Sequence, residues 1–221
     1  QLKQVIISLC SDYVVTFVEI SRFDGDDSSL GHTLKECRDH LQAPFIFIPN
    51  DTLVDTNQHT EFLSFETDWV GYYEKKDGDG IPKDQYRTLE INDGMVTQIN
   101  PKGIDSNNIY IGVAGIKNYN LFWKNFDDAS DIRPGEVVGL SKLPNLKGVS
   151  FDSWQDVGNI LSLRKSQKAY RDPDVNILEK EDEAIWFTNE KVVKFHVDKK
   201  FISDRVKRLT FLPSGLFPKV I

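Results

Sequence analysis

One short apolar run constrains the fold of this chain more than any other feature. The run, Phe45-Ile46-Phe47-Ile48, is typical of a central strand that is buried on both faces of a sheet. A similar run lies at residues 5–7, and the apolar spacing between the two predicts a helix over residues 30–41. Because strand, helix and strand follow in this order, right-handed crossovers and a parallel sheet are expected. The predicted fold class is α/β, with a mostly parallel sheet flanked by helices over residues 1–170.

Charge and hydropathy exclude several classes of protein. The 221 residues include 27 Lys and Arg against 34 Asp and Glu, a net charge of −7, which does not suit a protein that coats nucleic acid or an anionic membrane. No apolar run approaches the ~20 residues of a membrane-spanning helix. No signal peptide pattern is seen, so a cytoplasmic location is expected. Cys10 and Cys37 lack CxxC spacing and are predicted to be reduced thiols.

The charge pattern changes near residue 170 and predicts a domain boundary. Residues 171–221 contain 10 Lys and Arg and 9 Asp and Glu, whereas residues 1–170 contain 17 and 25. We expect a linker over residues 171–183, and a hairpin followed by a helix over residues 184–221. The start at Gln1 and the apolar end predict that the chain is a piece of a longer protein.

A carboxylate follows the central apolar run and is the first candidate for chemistry. Asp51 lies just beyond the run, where the carboxyl ends of strands in open α/β sheets bind ligands. Mg²⁺ takes one or two protein carboxylates together with substrate phosphates. The alternative is that Asn50-Asp51-Thr52 is simply a turn, since these residue types favour turns. These residues alone leave both interpretations open.

Five segments in order resemble the sugar-phosphate nucleotidyltransferase family. They are Leu30-Gly31-His32-Thr33 at a helix start, Asn50-Asp51-Thr52 after a strand, residues 94–102 (GMVTQINPK), residues 108–116 (NIYIGVAGI) and Trp154-Gln155-Asp156-Val157-Gly158-Asn159. The family carries an LGTA-like helix start, a strand ending in GDT, a G-x-V-x-x-I-x-E-K-P segment, a strand with A-G-I and a late W-x-D-x-G-N/T. The resemblance covers residues 1–170 and implies the family's sheet architecture.

The resemblance implies a catalytic metal site. Asp51 and Asp156, 105 positions apart, would jointly bind Mg²⁺. Lys102 would face the phosphate of a sugar phosphate, although here proline precedes the lysine and does not follow it. An oxygen of a sugar 1-phosphate, or of a small phospho-alcohol, would attack the α-phosphorus of an NTP and release pyrophosphate. The products would serve the synthesis of capsular or other surface polysaccharides.

The resemblance also implies residues that bind substrate. Gly31 would let the nucleotide base approach the backbone, because a Cβ there would collide with it. Gly115 would lie against the sugar. Asn50 occupies the position where the family usually has glycine.

One family motif has no counterpart in these 221 residues. The glycine-rich G-x-G-T-R loop binds the triphosphate in the family, and the close glycine pair Gly78 and Gly80 lies mid-chain without the following Arg. Losing one preorganised donor of this kind costs ~10²–10³ in rate. We therefore expect this chain to be catalytically silent, and a version extended upstream to be active. In the family this loop follows the first strand of the sheet, so the resemblance implies that this strand is missing here as well. Its absence predicts an exposed sheet edge and self-association into a homo-oligomer.

Two other functions stay open. A metal-dependent GT-A glycosyltransferase shares the nucleotide-binding sheet, but the sequence around Asp51 lacks the D-x-D pair typical of those enzymes. A non-catalytic module that binds a nucleotide-sugar or a partner protein is the alternative from another class. The missing loop favours such a module, and the carboxylate pair argues against it.

The C-terminal segment resembles a second family. Residues 185–195 (IWFTNEKVVKF) are similar to the start of the N-lobe in aminoglycoside- and choline-kinase-like phosphotransferases. Lys194 would contact ATP phosphates, with Asp204 as a substitute for the family's helical Glu. The alternative is an ordinary exposed strand lysine. The combined architecture resembles bacterial capsule-biosynthesis fusion proteins.

Overall fold

The computed structural model divides into two compact units. One comprises residues 18–169, and the other combines the described residues of 1–17 and 170–221. The first 17 residues, which were predicted to belong to the nucleotidyltransferase-like domain, thus group with the C-terminal segment. The residues described are 2–21, 23–25, 28–55, 65–76, 78–82, 84–170, 182–187, 192–209 and 211. Over these ranges, none of the helices has the length and apolar character needed to cross a bilayer.

Strands dominate the larger unit, and helices occur in both. The strands in chain order are β1 (Phe45–Phe47), β2 (Thr52–Val54), β3 (Trp69–Glu74), β4 (Thr88–Asn92), β5 (Met95–Asn100), β6 (Asn108–Ile116), β7 (Lys147–Ser150), β8 (Trp154–Asp156), β9 (Glu183–Phe187) and β10 (Val192–His196). The helices are α1 (Leu2–Leu9), α2 (Leu30–Cys37), α3 (Tyr119–Asp127), α4 (Val137–Leu140), α5 (Ile160–Tyr170) and α6 (Lys199–Leu209), and a 3-10 turn over Arg38–His40 extends α2.

The main sheet is mixed, so the prediction of a mostly parallel sheet is wrong. Its strand order is β1-β6-β3-β7-β5-β4, and β4 also pairs with β6. Among the described residues, β3 and β7 pair in parallel, and the other pairings of this sheet are antiparallel. One cause is local, because Asp93 (φ 49°) and Gly94 (φ 77°) form a tight turn that joins β4 to β5 as a hairpin. The predicted central strand, β1, pairs only with β6 among the described strands and lies at the sheet edge.

Side chains of the sheet alternate between two apolar clusters, one on each face. On β6, Tyr110 belongs to the cluster that contains Phe122 of α3, and Ile111 belongs to the other cluster. Helices therefore cover the first face. On the second face, Val54 of β2 and Trp154 of β8 pack against the cluster. The short β2–β8 pair therefore lies on this face of the sheet, and it carries the candidate site.

The N-terminal residues differ from the structure predicted for them, and the C-terminal segment agrees with its prediction. The apolar run at residues 4–9 was predicted as a strand but lies in α1, and apolar residues at positions 2, 5, 6 and 9 have helical spacing. The run at residues 13–20 forms no strand, and the side chain of Val14 is fully exposed. Antiparallel β9 and β10 followed by α6 confirm the predicted strands and helix; residues 188–191 lie outside the described ones.

Candidate functional site

Pairing of β2 with β8 brings Asp51 and Asp156 together. Thr52 is opposite Asp156 in the antiparallel register, and the Val157 N–H donates to the Asp51 carbonyl at 2.8 Å. The Thr52 hydroxyl donates to the carbonyl of Ile111 at 3.1 Å, which fastens the pair to β6. Two residues that are far apart in sequence therefore lie at the same end of one small ladder.

Gly158 lies between the two carboxylates. Its N–H donates to Asp156 Oδ1 at 2.7 Å. A Cβ built on Gly158 would lie 3.0 Å from Asp156 Oδ1 and 3.1 Å from Asp51 Oδ2. The separation of Asp156 Oδ1 and Asp51 Oδ2 therefore cannot exceed the sum of these two distances. The glycine leaves open the space that a side chain would occupy between them.

The charges at this site suit a divalent cation. Asp51 is exposed and Asp156 is half-buried, and neither forms an ion pair with Lys or Arg in the part of the chain that is described. Over the same residues, no group of three or more His, Cys, Asp and Glu side chains could hold a metal ion. Mg²⁺ needs only one or two carboxylates because it retains several waters. Asp51 and Asp156 are therefore the candidate ligands for such an ion.

Tyr86 is a member of the site that sequence reasoning missed. Its hydroxyl donates a short hydrogen bond to Asp156 Oδ2, and its ring packs edge-on against Trp154 with centroids 5.0 Å apart. Burial, the hydrogen bond to Asp156 and the charges of Asp156 and Asp51 all raise the pKa of Tyr86. The phenol therefore keeps its proton at neutral pH and acts as the donor. No local signal could have identified it, because 70 positions separate it from Asp156.

Two glycines predicted to bind substrate have close protein neighbours. Gly31 is buried, and its Cβ would lie 1.7 Å from the carbonyl oxygen of Ile132. Gly115 is buried as well, and its Cβ would lie 2.0 Å from Nε1 of Trp69. Packing alone thus accounts for the lack of a side chain at both positions. Their roles toward a nucleotide base and a sugar stay predictions.

The other predicted substrate residues lie on the surface. Asn50 is exposed in the turn between β1 and β2, directly before Asp51. Lys102 is exposed in the turn after β5. Neither shares a hydrogen bond or an ion pair with Asp156 within the described residues. Both side chains are accessible to a ligand, and their roles also stay predictions.

Lys194, the predicted ATP contact of the smaller unit, is held by a carboxylate. Its Nζ lies 2.7 Å from Glu183 Oε2, and 5.9 Å from the centroid of the Phe201 ring. Lys194 is on β10 and Glu183 is on the neighbouring strand β9. The acidic partner therefore comes from the adjacent strand, whereas the sequence had suggested Asp204 on the following helix. The ATP contact itself stays a prediction.

Solved structures share the architecture of this chain. A protein from Bacillus anthracis assigned as a glucose-1-phosphate thymidylyltransferase, solved with a sucrose, matches with a TM-score of 0.53 and 15% identity over 69% of this chain and 65% of that chain. A UDP-glucose pyrophosphorylase complexed with UDP-glucose matches with a TM-score of 0.52 and 15% identity, over 66% and 63%. The fold is that of the sugar-phosphate nucleotidyltransferases.

A third match agrees with this fold. The UDP-glucose pyrophosphorylase from Acinetobacter baumanii has a TM-score of 0.50 and 16% identity, over 64% of this chain and 56% of that chain. The chain covers less than two thirds of the length of each of these three structures. No protein-family model matches the chain, and no curated protein does. These matches support the α/β, nucleotidyltransferase-like fold that the sequence motifs predicted, but not its mostly parallel sheet. The kinase-like unit stays a prediction.

Proposed function

We propose that the larger unit is a nucleotidyltransferase that transfers a nucleoside monophosphate from an NTP to a sugar phosphate or a small phospho-alcohol. The convergence of Asp51 and Asp156 around Gly158 is the observation that carries the proposal. The fold supports it, since similar structures include one solved with UDP-glucose. Synthesis of capsular or other surface polysaccharides is the process we propose for the product.

The carboxylate pair is the proposed site of Mg²⁺. Asp51 and Asp156 would each supply an oxygen, and Gly158 would keep the space between those oxygens clear. When bound, the ion would neutralise charge on the phosphates of the substrates. The Gly158 N–H holds the Asp156 carboxylate by donating to Oδ1 at 2.7 Å. The Val157 N–H holds the backbone of Asp51 by donating to its carbonyl at 2.8 Å.

The remaining proposed roles concern the substrates. Lys102 would bind the phosphate of the sugar phosphate, and its exposed position leaves its ammonium group free to reach a ligand. Asn50 would lie beside the nucleotide because it directly precedes Asp51. Gly31 and Gly115 would border the base and the sugar. At these two positions, contacts with Ile132 and Trp69 also account for the missing side chains.

The proposed reaction is an in-line displacement. A bond forms between a phosphate oxygen of the acceptor and the α-phosphorus, while the bond from that phosphorus to pyrophosphate breaks. Positioning and charge neutralisation supply most of the catalysis in such transfers. Because G-x-G-T-R does not occur in these 221 residues, we expect pyrophosphate release only when such a loop is supplied upstream.

The proposal is tested by binding and by turnover. Nucleotide binding is measured by calorimetry with each of the four NTPs, with and without Mg²⁺. Pyrophosphate release is measured with a panel of sugar 1-phosphates, for this chain and for a version that carries an upstream glycine-rich loop. Asp156→Asn removes one ligand charge at constant size, and Asp152→Asn, at an exposed position on the same segment, is the matched control.

We expect Mg²⁺-dependent NTP binding that Asp156→Asn weakens and Asp152→Asn preserves. In the extended version, Asp156→Asn should lower pyrophosphate release by ~10²–10³, as expected when one charge-stabilising group is lost. Turnover by the 221-residue chain itself would show that residues other than a glycine-rich loop hold the phosphates. Binding and turnover that do not depend on Asp156 would contradict the proposed function.

A further inference from the structure

Both oxygens of Asp156 are held by donors from different parts of the chain. Oδ1 accepts the Gly158 N–H at 2.7 Å from the same segment, and Oδ2 accepts the Tyr86 hydroxyl, which comes from the residues before β4. We infer that Tyr86 is a positioning residue that fixes the Asp156 carboxylate toward Asp51 for cation binding. This inference rests on the proposed function, because it assumes that the carboxylate pair holds the ion.

The Tyr86 ring is itself held in place. It packs edge-on against Trp154, with an interplanar angle of 85°. Trp154 and Asp156 are the first and third residues of β8, so their side chains point to the same face of that strand. Tyr86 therefore contacts the strand at two points, through the ring and through the hydroxyl. A second tyrosine, Tyr73, also packs against Trp154, with ring centroids 6.0 Å apart.

A donated hydrogen bond is compatible with cation binding at the same carboxylate. Each carboxylate oxygen has two acceptor sites, so Oδ1 and Oδ2 of Asp156 each retain one after accepting from the chain. Hydrogen bonds to a ligating carboxylate orient it, and their loss typically lowers metal affinity by about 10- to 100-fold. The Tyr86 hydroxyl uses its proton in the bond to Asp156 Oδ2. It therefore orients Asp156.

The contact also ties a long connection to the site. Residues 75–87 join β3 to β4, and Tyr86 lies at the end of that connection. At the other end, the Tyr73 hydroxyl donates to Asp79 Oδ2 at 2.9 Å. The connection is thus anchored near both ends, but only the Tyr86 anchor uses a proposed metal ligand. This difference provides a matched pair of tyrosine hydroxyls for a test.

The test measures Mn²⁺ binding to the full 221-residue chain by the electron paramagnetic resonance signal of free Mn²⁺. Mn²⁺ is the probe because it takes the same oxygen ligands as Mg²⁺. Tyr86→Phe removes one oxygen and keeps the ring on Trp154, and Tyr73→Phe removes the matched hydroxyl that bonds Asp79. Thermal unfolding of each variant, followed by circular dichroism, establishes that it is folded. Asp156→Asn identifies the ion site.

We expect Tyr86→Phe to weaken Mn²⁺ binding by about 10- to 100-fold and Tyr73→Phe to change it by less than about 2-fold. If wild type binds Mn²⁺ through Asp156 and Tyr86→Phe binds it equally well, Tyr86 only packs and the inference is wrong. Tighter binding by Tyr86→Phe would mean that the hydroxyl competes with the ion, which also overturns it. If Mn²⁺ binding to wild type does not depend on Asp156, the proposed metal site fails and the inference fails with it.

Discussion

Replacing Gly31 with alanine separates a packing role from a nucleotide-binding role. Gly31 is the second residue of α2, and its Cβ would lie 1.7 Å from the Ile132 carbonyl oxygen and 2.6 Å from the carbonyl carbon. Both atoms belong to the backbone, so rotation of a side chain cannot relieve the contact. Either α2 or the segment around Ile132 must move.

Two opposing effects determine how far Gly31→Ala changes the free energy of unfolding. Alanine is favoured over glycine inside a helix by up to about 1 kcal/mol. Overpacking a buried site costs about 1–3 kcal/mol, and a separation far below normal van der Waals contact places Gly31→Ala at the upper end of that range. The clash therefore dominates, with a net loss of about 2 kcal/mol. For a chain of this size, that loss lowers Tm by about 4–8 °C.

The assay is thermal and urea unfolding of the full chain, together with NTP binding. Lys35→Ala, at an exposed position of the same helix, is the control and should change the free energy of unfolding by no more than about 0.5 kcal/mol. If Gly31→Ala is as stable as wild type, the contact with Ile132 does not explain the glycine. Unchanged stability with lost NTP binding would instead support the role that the sequence motif implies.

Two further predictions concern other sites. Gly158→Ala places a methyl group 3.0 Å from Asp156 Oδ1 and 3.1 Å from Asp51 Oδ2, so Mn²⁺ affinity should fall by at least about 10-fold. Because Gly158 is exposed, the free energy of unfolding should change by no more than about 0.5 kcal/mol. Unchanged Mn²⁺ affinity would place the ion elsewhere. Burial raises the pKa of Glu136, whose Oε1 accepts from the Tyr110 hydroxyl at 2.9 Å. The stability it contributes is therefore present below the unfolded pKa of about 4.3 and is lost as pH rises through the folded pKa. Between about pH 4 and pH 8, the urea concentration at the midpoint of unfolding should fall less for Glu136→Gln than for wild type. An equal fall in the two proteins would refute this prediction.

Local signals in the sequence were sufficient for several elements. Ser29 caps α2 by accepting the His32 N–H at 3.3 Å, and a serine directly before an apolar helical pattern is a local signal for the start of a helix. The Asp-Gly pair at residues 93 and 94 is a local signal for a hairpin turn, and it joins β4 to β5 because both residues tolerate positive φ. In each case the deciding interaction joins residues that are only a few positions apart. Such interactions can be predicted without knowledge of the rest of the chain.

The candidate site could be predicted only in part. The motifs around Asp51 and Asp156 singled out the two carboxylates, and their residue types predicted the chemistry. Their proximity depends on the ladder between β2 and β8, whose strands are about a hundred residues apart. Tyr86 joins them through a single long-range hydrogen bond and has no motif of its own.

The sequence by itself determined which short segments favour strand, helix and turn, and which carboxylates suit a cation. Only the tertiary structure decided how the segments pair. An apolar run such as Phe45–Phe47 favours a strand equally in a parallel or an antiparallel sheet, and its partner β6 made it an antiparallel edge strand. The run at residues 5–7 satisfied both strand and helix patterns, and it lies in α1. Gly31 and Gly115 show the same limit, because only the folded chain brings the Ile132 backbone and the Trp69 ring against them.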